Sequence, residues 1–163
     1  HKIKKSNGTL LIGIESVVSD VRHGLGKTFE DDDIDWNLDL AQKYNIPIVL
    51  LIIVAYPTET LEDFEYTKQW FRDRKQYAGN SVVAVSLSFA SILPGTKLAR
   101  KSEEYHIKRG SLPSVWYNES LKINSKVRTQ YLRDLYDICQ NECGFNTLTN
   151  EETLKHTEEQ DNF

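Results

Sequence analysis

The chain has 163 residues and a mass of 18.8 kDa, with 20 Lys and Arg against 24 Asp and Glu and a formal net charge of −4. A chain of this length buries roughly 68–70% of its unfolded surface, enough for one domain with a full core. The acidic balance excludes a nucleic-acid binder that works through bulk basicity, and no apolar run reaches the about 18 residues of a membrane span. Two cysteines make no disulfide framework, so a reduced, cytoplasmic protein without membrane contact is the expectation. Position 1 is His rather than Met, which leads us to expect an excised piece of a larger protein.

The first predicted strand is Leu10-Leu11-Ile12-Gly13-Ile14. Gly24-Leu25-Gly26-Lys27-Thr28 follows, resembling the end of a phosphate-binding loop. That loop needs a glycine five residues before its Gly-Lys pair, where this chain has Val21. A glycine-containing turn into the next helix is the better reading. Glu30-Asp31-Asp32-Asp33 places acids where the dipole of a helix N-terminus favours them. The helix itself is expected over Asp31 to Tyr44, with Ile34, Leu38 and Ala41 forming one stripe.

The second strand is expected over Ile46 to Val54, unbroken apolar from Ile48, as suits a parallel strand covered on both faces. A helix over Thr60 to Tyr77 opens with Thr60-Leu61-Glu62-Asp63, a capping-box start with Asp in the Glu/Gln position. The third strand, Ser81 to Ile92, alternates bulky Val83, Val85, Leu87 and Phe89 with small Ala84, Ser86, Ser88 and Ala90. Bulky residues would meet a helix layer, and the small face would leave room for a ligand. Strand centres repeat every 36–39 residues or so, the size of a βα unit with a right-handed crossover. Three such units imply an α/β fold with a parallel sheet.

Beyond Pro94-Gly95 a loop is expected through Gly110 and Pro113, then one long helix over Asn118 to Glu142. Leu121, Val127, Arg128, Leu132, Leu135 and Ile138 lie near its apolar side, and Gly144 is placed to end it. Cys139 and Cys143 share a helix face, but structural zinc wants four ligands and the nearest histidine is His156. The other histidines, His1, His23 and His106, are scattered, so no metal site is expected. Asn7-Gly8-Thr9 and Asn118-Glu119-Ser120 match the glycosylation sequon, which carries no weight in a cytoplasmic chain. The tail from residue 146 holds Glu151, Glu152, Glu158, Glu159 and Asp161 against Lys155, so it carries the whole net charge. A solvated polar tail is expected there, with a short acidic helix over 149–160 as the alternative.

In parallel α/β architectures ligands lie at the carboxyl ends of the strands. Gly13-Ile14-Glu15-Ser16, Ala55-Tyr56-Pro57-Thr58-Glu59-Thr60 and Leu93-Pro94-Gly95-Thr96 occupy those three ends. Turns and helix caps account for much of the last two. Glu15 is harder to explain so, because a carboxylate at the end of a buried strand needs a partner.

Together these residues resemble the second half of the radical S-adenosylmethionine superfamily barrel, nearest its cobalamin-binding-type and methylthiotransferase-like branches. The match runs over roughly residues 8–105. Gly13-Ile14-Glu15-Ser16 resembles the fourth-strand signature, with Gly26-Lys27-Thr28-Phe29 leading to the next helix. Tyr56-Pro57-Thr58-Glu59-Thr60-Leu61-Glu62-Asp63-Phe64 resembles the Phe-Pro-Gly-Glu-Thr-x-x-Asp-Phe pattern after the fifth, and Pro94-Gly95-Thr96 the turn after the sixth. Val17-Val18 replaces the Gly-Ser usual after the Glu-Ser pair, and Ala55 stands where glycine is usual.

The resemblance implies half of a partial (β/α)6 TIM-like barrel over residues 1–105, with a helical extension and acidic tail over 106–163. It implies a parent enzyme using S-adenosylmethionine and a four-iron, four-sulfur cluster, with cobalamin a further cofactor in some members. Glu15 and Ser16 would contact the ribose and methionine portions of S-adenosylmethionine. Ala55, Tyr56 and Pro57 would border its adenine, and Pro94 and Gly95 would line its neighbourhood or the substrate's. The cluster-binding cysteine triad is absent from this chain, so the isolated piece is expected to bind no cofactor, hold no metal and be inactive. The expected partners are the N-terminal half of the barrel and an unidentified substrate, with a homodimer of the isolated piece as the alternative assembly. Two rival readings stand beside this one: a non-catalytic α/β interaction domain, and a (β/α) barrel lyase or hydrolase half with Glu15 as general base.

Overall fold

The computed structural model describes residues 8–148. Asn7, the tail helix considered over 149–160, His1 and His156 lie outside the described residues. The first half is built from β1 (Leu10–Glu15), α1 (Ser19–Gly24), α2 (Asp31–Tyr44), β2 (Ile48–Val54), α3 (Leu61–Asp73) and β3 (Val82–Phe89). The three strands form a parallel sheet in the order β1-β2-β3. Each strand therefore returns beside its predecessor through a crossover of the same hand, which puts α2 and α3 on one face.

That face holds the core. Ile14, Leu50, Ile52, Val54, Val85 and Leu87 are at most 3% exposed. They join one cluster with Ile34 and Leu38 of α2 and Phe64, Trp70 and Phe71 of α3. Burying each such side chain contributes about 1.5–3 kcal/mol, so this layer dominates stability. Polar contacts tie the helices side by side. Arg74 donates to both carboxylate oxygens of Asp35 at 2.6 and 2.7 Å, and Tyr77 donates to Asp39 at 2.5 Å. On the other face Leu51, Ile53 and Ser86 are only half-buried, Ser88 is exposed, and Leu11 is 68% exposed.

Local chemistry explains the helix starts. Thr60 accepts from the Asp63 N–H at 3.2 Å while the Asp63 carboxylate accepts from the Thr60 N–H at 2.8 Å. This is the reciprocal capping box, working with Asp at its third position. The α2 acids fill its first turn as the dipole argument requires. The chain leaves α2 through Asn45, whose φ of 50° is the left-handed conformation of a helix end.

Beyond β3 the structure departs from expectation. A short α4 (Lys97–Arg100) leads to an antiparallel hairpin of β4 (Ile107–Arg109) and β5 (Trp116–Asn118), where a loop was expected. The extension after residue 106 is thus not wholly helical. It opens on a hairpin docked to the sheet, with Trp116 Nε1 donating to Ala90 O at 2.9 Å and Ile92 N–H to Pro113 O at 2.8 Å. The last helix, α5 (Ser125–Asp137), continues as a π-helical turn over Ile138–Glu142. It starts seven residues later than expected because Asn118 turns the chain. The Asn118 Oδ1 accepts from Ser120 Oγ at 2.8 Å and Leu121 N–H at 2.9 Å, and Asn124 supplies the helix cap to Val127 N–H.

α5 joins the helix layer, with Tyr131 stacked on Phe64 at 3.9 Å between ring centroids. The segment after Gly144 then pairs with β3. Val85 N–H donates to Asn146 O at 2.7 Å, and Leu148 N–H donates to Val85 O at 2.9 Å. The sheet seen over the described residues is open and does not close into a barrel. No described helix is long and apolar enough to cross a membrane.

Candidate functional site

Parallel strands bring the three expected clusters to one edge of the sheet. At the end of β1 the chain turns through Glu15, whose φ of 67° is left-handed. The Glu15 carboxylate lies 3.3 Å from Lys27 Nζ, which also donates to Gly13 O at 3.3 Å. A Cβ on Gly13 would sit 2.5 Å from Glu15 Oε1, so the carboxylate folds back over Gly13 and would have to swing aside for any larger residue there. The partner that Glu15 needs is Lys27, supplied by the glycine-containing turn. Ser16 is 2% exposed, and its hydroxyl accepts from Val18 N–H at 3.1 Å.

Arg22 holds this turn from beneath. It is fully buried and donates to the carbonyls of Ser16 and Val17 at 3.3 and 2.8 Å, and to Asp31 at 2.5 Å. Through its two terminal nitrogens this buried guanidinium reaches two carbonyls and a carboxylate, which fixes the β1–α1 loop against the first turn of α2, while its Nε has no partner among the described residues.

At the end of β2, Ala55 is fully buried with a φ of 53°. Tyr56 N–H donates to Glu59 Oε2 at 3.1 Å. Glu59 is 2% exposed. Burial pushes its carboxyl up to about 8, and the Asp63 charge adds to this against the opposing effect of backbone donors from Tyr56 and Ala55. Pro57 is buried, and its carbonyl accepts from Asn118 Nδ2 at 2.8 Å. The same amide nitrogen donates to Tyr105 O at 2.8 Å. Asn118, which the sequence presents as half of a sequon, is 2% exposed and clamps the β2–α3 loop to the hairpin.

At the end of β3, Pro94 and Gly95 are exposed, and Gly95 has a φ of 81°. Arg100 donates to Gly95 O at 2.6 Å. Two concavities open here. One of about 220 Å3 includes Tyr56, Ile53 and Lys97, and one of about 630 Å3 includes Pro94, His106 and Arg109.

The seven expected cofactor contacts thus share one edge but not one cavity. Tyr56 lines the smaller cleft and Pro94 the larger cavity, while Glu15 and Ser16 line neither. Ser16, Ala55, Tyr56 and Pro57 are buried, leaving Glu15, Pro94 and Gly95 as the accessible members. Lys27, Glu59, Lys97 and Asn118 were not singled out as site residues. Lys27, Lys97 and Asn118 act through contacts between segments distant in sequence, and Glu59 through a local bond whose weight comes from its burial.

Among the described residues no group of three or more His, Cys, Asp or Glu could hold a metal ion. Cys139 and Cys143 are buried, and burial drives both thiols above their ordinary range, most strongly at Cys139. No protein-family model matches the chain, and no curated protein sequence does.

Proposed function

We propose that this chain is the C-terminal half of a radical S-adenosylmethionine barrel, contributing cofactor and substrate contacts to a catalytic parent. The observation that carries the reading is Ala55. It takes a left-handed φ of 53° at the end of β2, a position where glycine is usual in the family. A left-handed position favours glycine, which supports reading Ala55 as the counterpart of that glycine. Three parallel βα units, with small Ala84, Ser86 and Ser88 on the face away from the helices, agree with it.

The iron–sulfur cluster does not fit on this chain, whose two cysteines are buried. It would be held by another segment. S-adenosylmethionine fits better. The Glu15 side chain is 25% exposed and offers carboxylate oxygens to ribose hydroxyls at the edge where the family places them. When bound to the cluster, that cofactor supplies the hydrogen-abstracting 5′-deoxyadenosyl radical.

The test is Glu15→Ala in the intact parent, read by calorimetry. Loss of a charge-assisted hydrogen bond weakens S-adenosylmethionine binding by roughly ten- to a hundredfold while the fold persists. Unchanged affinity removes Glu15 from the site. The rival interaction-domain reading draws on Ser16, which is 2% exposed. A C-x3-C-x2-C triad upstream in the parent reading frame would count against that rival.

A further inference from the structure

We propose that the cleft beside the ends of β2 and β3 binds a small organic acid. Its carboxylate would meet Lys97 and Tyr56, and its short apolar body would lie against Leu25, Ile53 and Leu98. The inference does not rest on the cofactor assigned above, and it concerns binding by this chain alone.

Three features of the cleft carry it. Its lining contains one cation, Lys97, and no carboxylate, so the wall favours an anion. Lys97 Nζ donates to Gly24 O at 3.1 Å, which places the ammonium and leaves two of its donors for a ligand. Tyr56 is 6% exposed, and among the described residues its hydrogen bonds are those its backbone N–H and carbonyl make with Glu59. That leaves the phenol O–H free to donate to a ligand in the cleft that Tyr56 lines. Burial, with Tyr105 nearby, raises the phenol above its ordinary range, so at neutral pH it is a donor.

Apart from Ser91 and Thr96 the remaining wall is apolar, and a volume of about 220 Å3 limits the ligand to a few heavy atoms beyond its carboxylate. A lone ammonium matches a monoanion better than a phosphate. The larger cavity lacks this selectivity, because Glu103 and Glu119 line it beside His106, Lys108 and Arg109.

Amide NMR titration of the whole chain tests the inference, with butyrate, n-butanol, inorganic phosphate and adenosine as probes. Butyrate should shift Tyr56, Ser91 and Lys97 to saturation, and n-butanol should not. Lys97→Gln and Tyr56→Phe should each weaken butyrate by about tenfold, the loss of one polar contact, with spectra that remain dispersed. The proposal is overturned if butyrate does not saturate, if n-butanol matches it, or if phosphate binds more tightly. Adenosine shifting the same amides, unaffected by Lys97→Gln, also overturns it and gives the cleft to a nucleoside.

Discussion

Glu59 links the candidate edge to stability through its proton. In the unfolded chain its carboxyl ionises near 4.5, whereas in the fold it holds its proton to about 8. Between those values the native state binds more protons than the unfolded one, so stability falls as pH rises through the window and levels off above it. Glu59→Gln keeps the acceptor for Tyr56 N–H and removes the titration. The variant should show a flatter stability profile in urea between pH 5 and pH 8. By pH 8 it should gain on the wild type by a few kcal/mol, at most about 4. Parallel profiles for the two proteins would mean that Glu59 is ionised throughout.

At the scale of elements, what was legible in the sequence is what repeats or caps locally. β1, β2 and β3, the α2 stripe and the Thr60–Asp63 box all follow from patterns within a few residues. The hairpin was not legible, because strands of three residues are too short for alternation to register. The start of α5 was misplaced because Leu121 fits the helical period, while Asn118 and Asn124 decide the boundary through side-chain bonds. Of the candidate site, the strand-end clusters could be read from sequence. Lys27 and Asn118 reach them across 14 and 61 residues, and no local pattern encodes that.

Asn118 makes the consequence measurable. Asn118→Ala strips donors from the Pro57 and Tyr105 carbonyls and should destabilise by roughly 2–4 kcal/mol. Asn118→Asp should lose comparable stability, since it sets an oxygen against those same carbonyls. Denaturant midpoints near the wild-type value for both variants would show that the clamp is dispensable. The turn after α5 gives a chemical counterpart. Cys139 is fully buried and Cys143 is 8% exposed, and each thiol is held in its protonated form. Anaerobic reconstitution with iron and sulfide should therefore leave a colourless protein. Stoichiometric iron lost in a Cys139→Ser, Cys143→Ser double variant would contradict that.

For the whole molecule, the decisive feature is that α2, α3 and α5 share one side of the sheet. A fold-back of the last helix over the small-residue face would have been one way to finish a half-barrel. Instead Tyr131 stacks on Phe64, and α5 extends the layer that α2 and α3 begin. The two sheet edges are also treated differently. Asn146 to Leu148 cover β3 through Val85, whereas among the described residues nothing pairs with the outer side of β1. Leu10 to Ile14 carry no charge and no proline, so this edge lacks the usual devices against pairing. Two copies related by a two-fold axis can add β1 to β1 antiparallel without opposing like charges, and a symmetric dimer is the commonest closed form. Sedimentation of the isolated chain at micromolar concentration should therefore show a dimer. Leu11, 68% exposed, stands on that edge strand, and Leu11→Lys should return the protein to a monomer by setting like charges together at the seam. A wild-type chain sedimenting at 18.8 kDa would refute the pairing. A dimer indifferent to Leu11→Lys would move the interface away from β1.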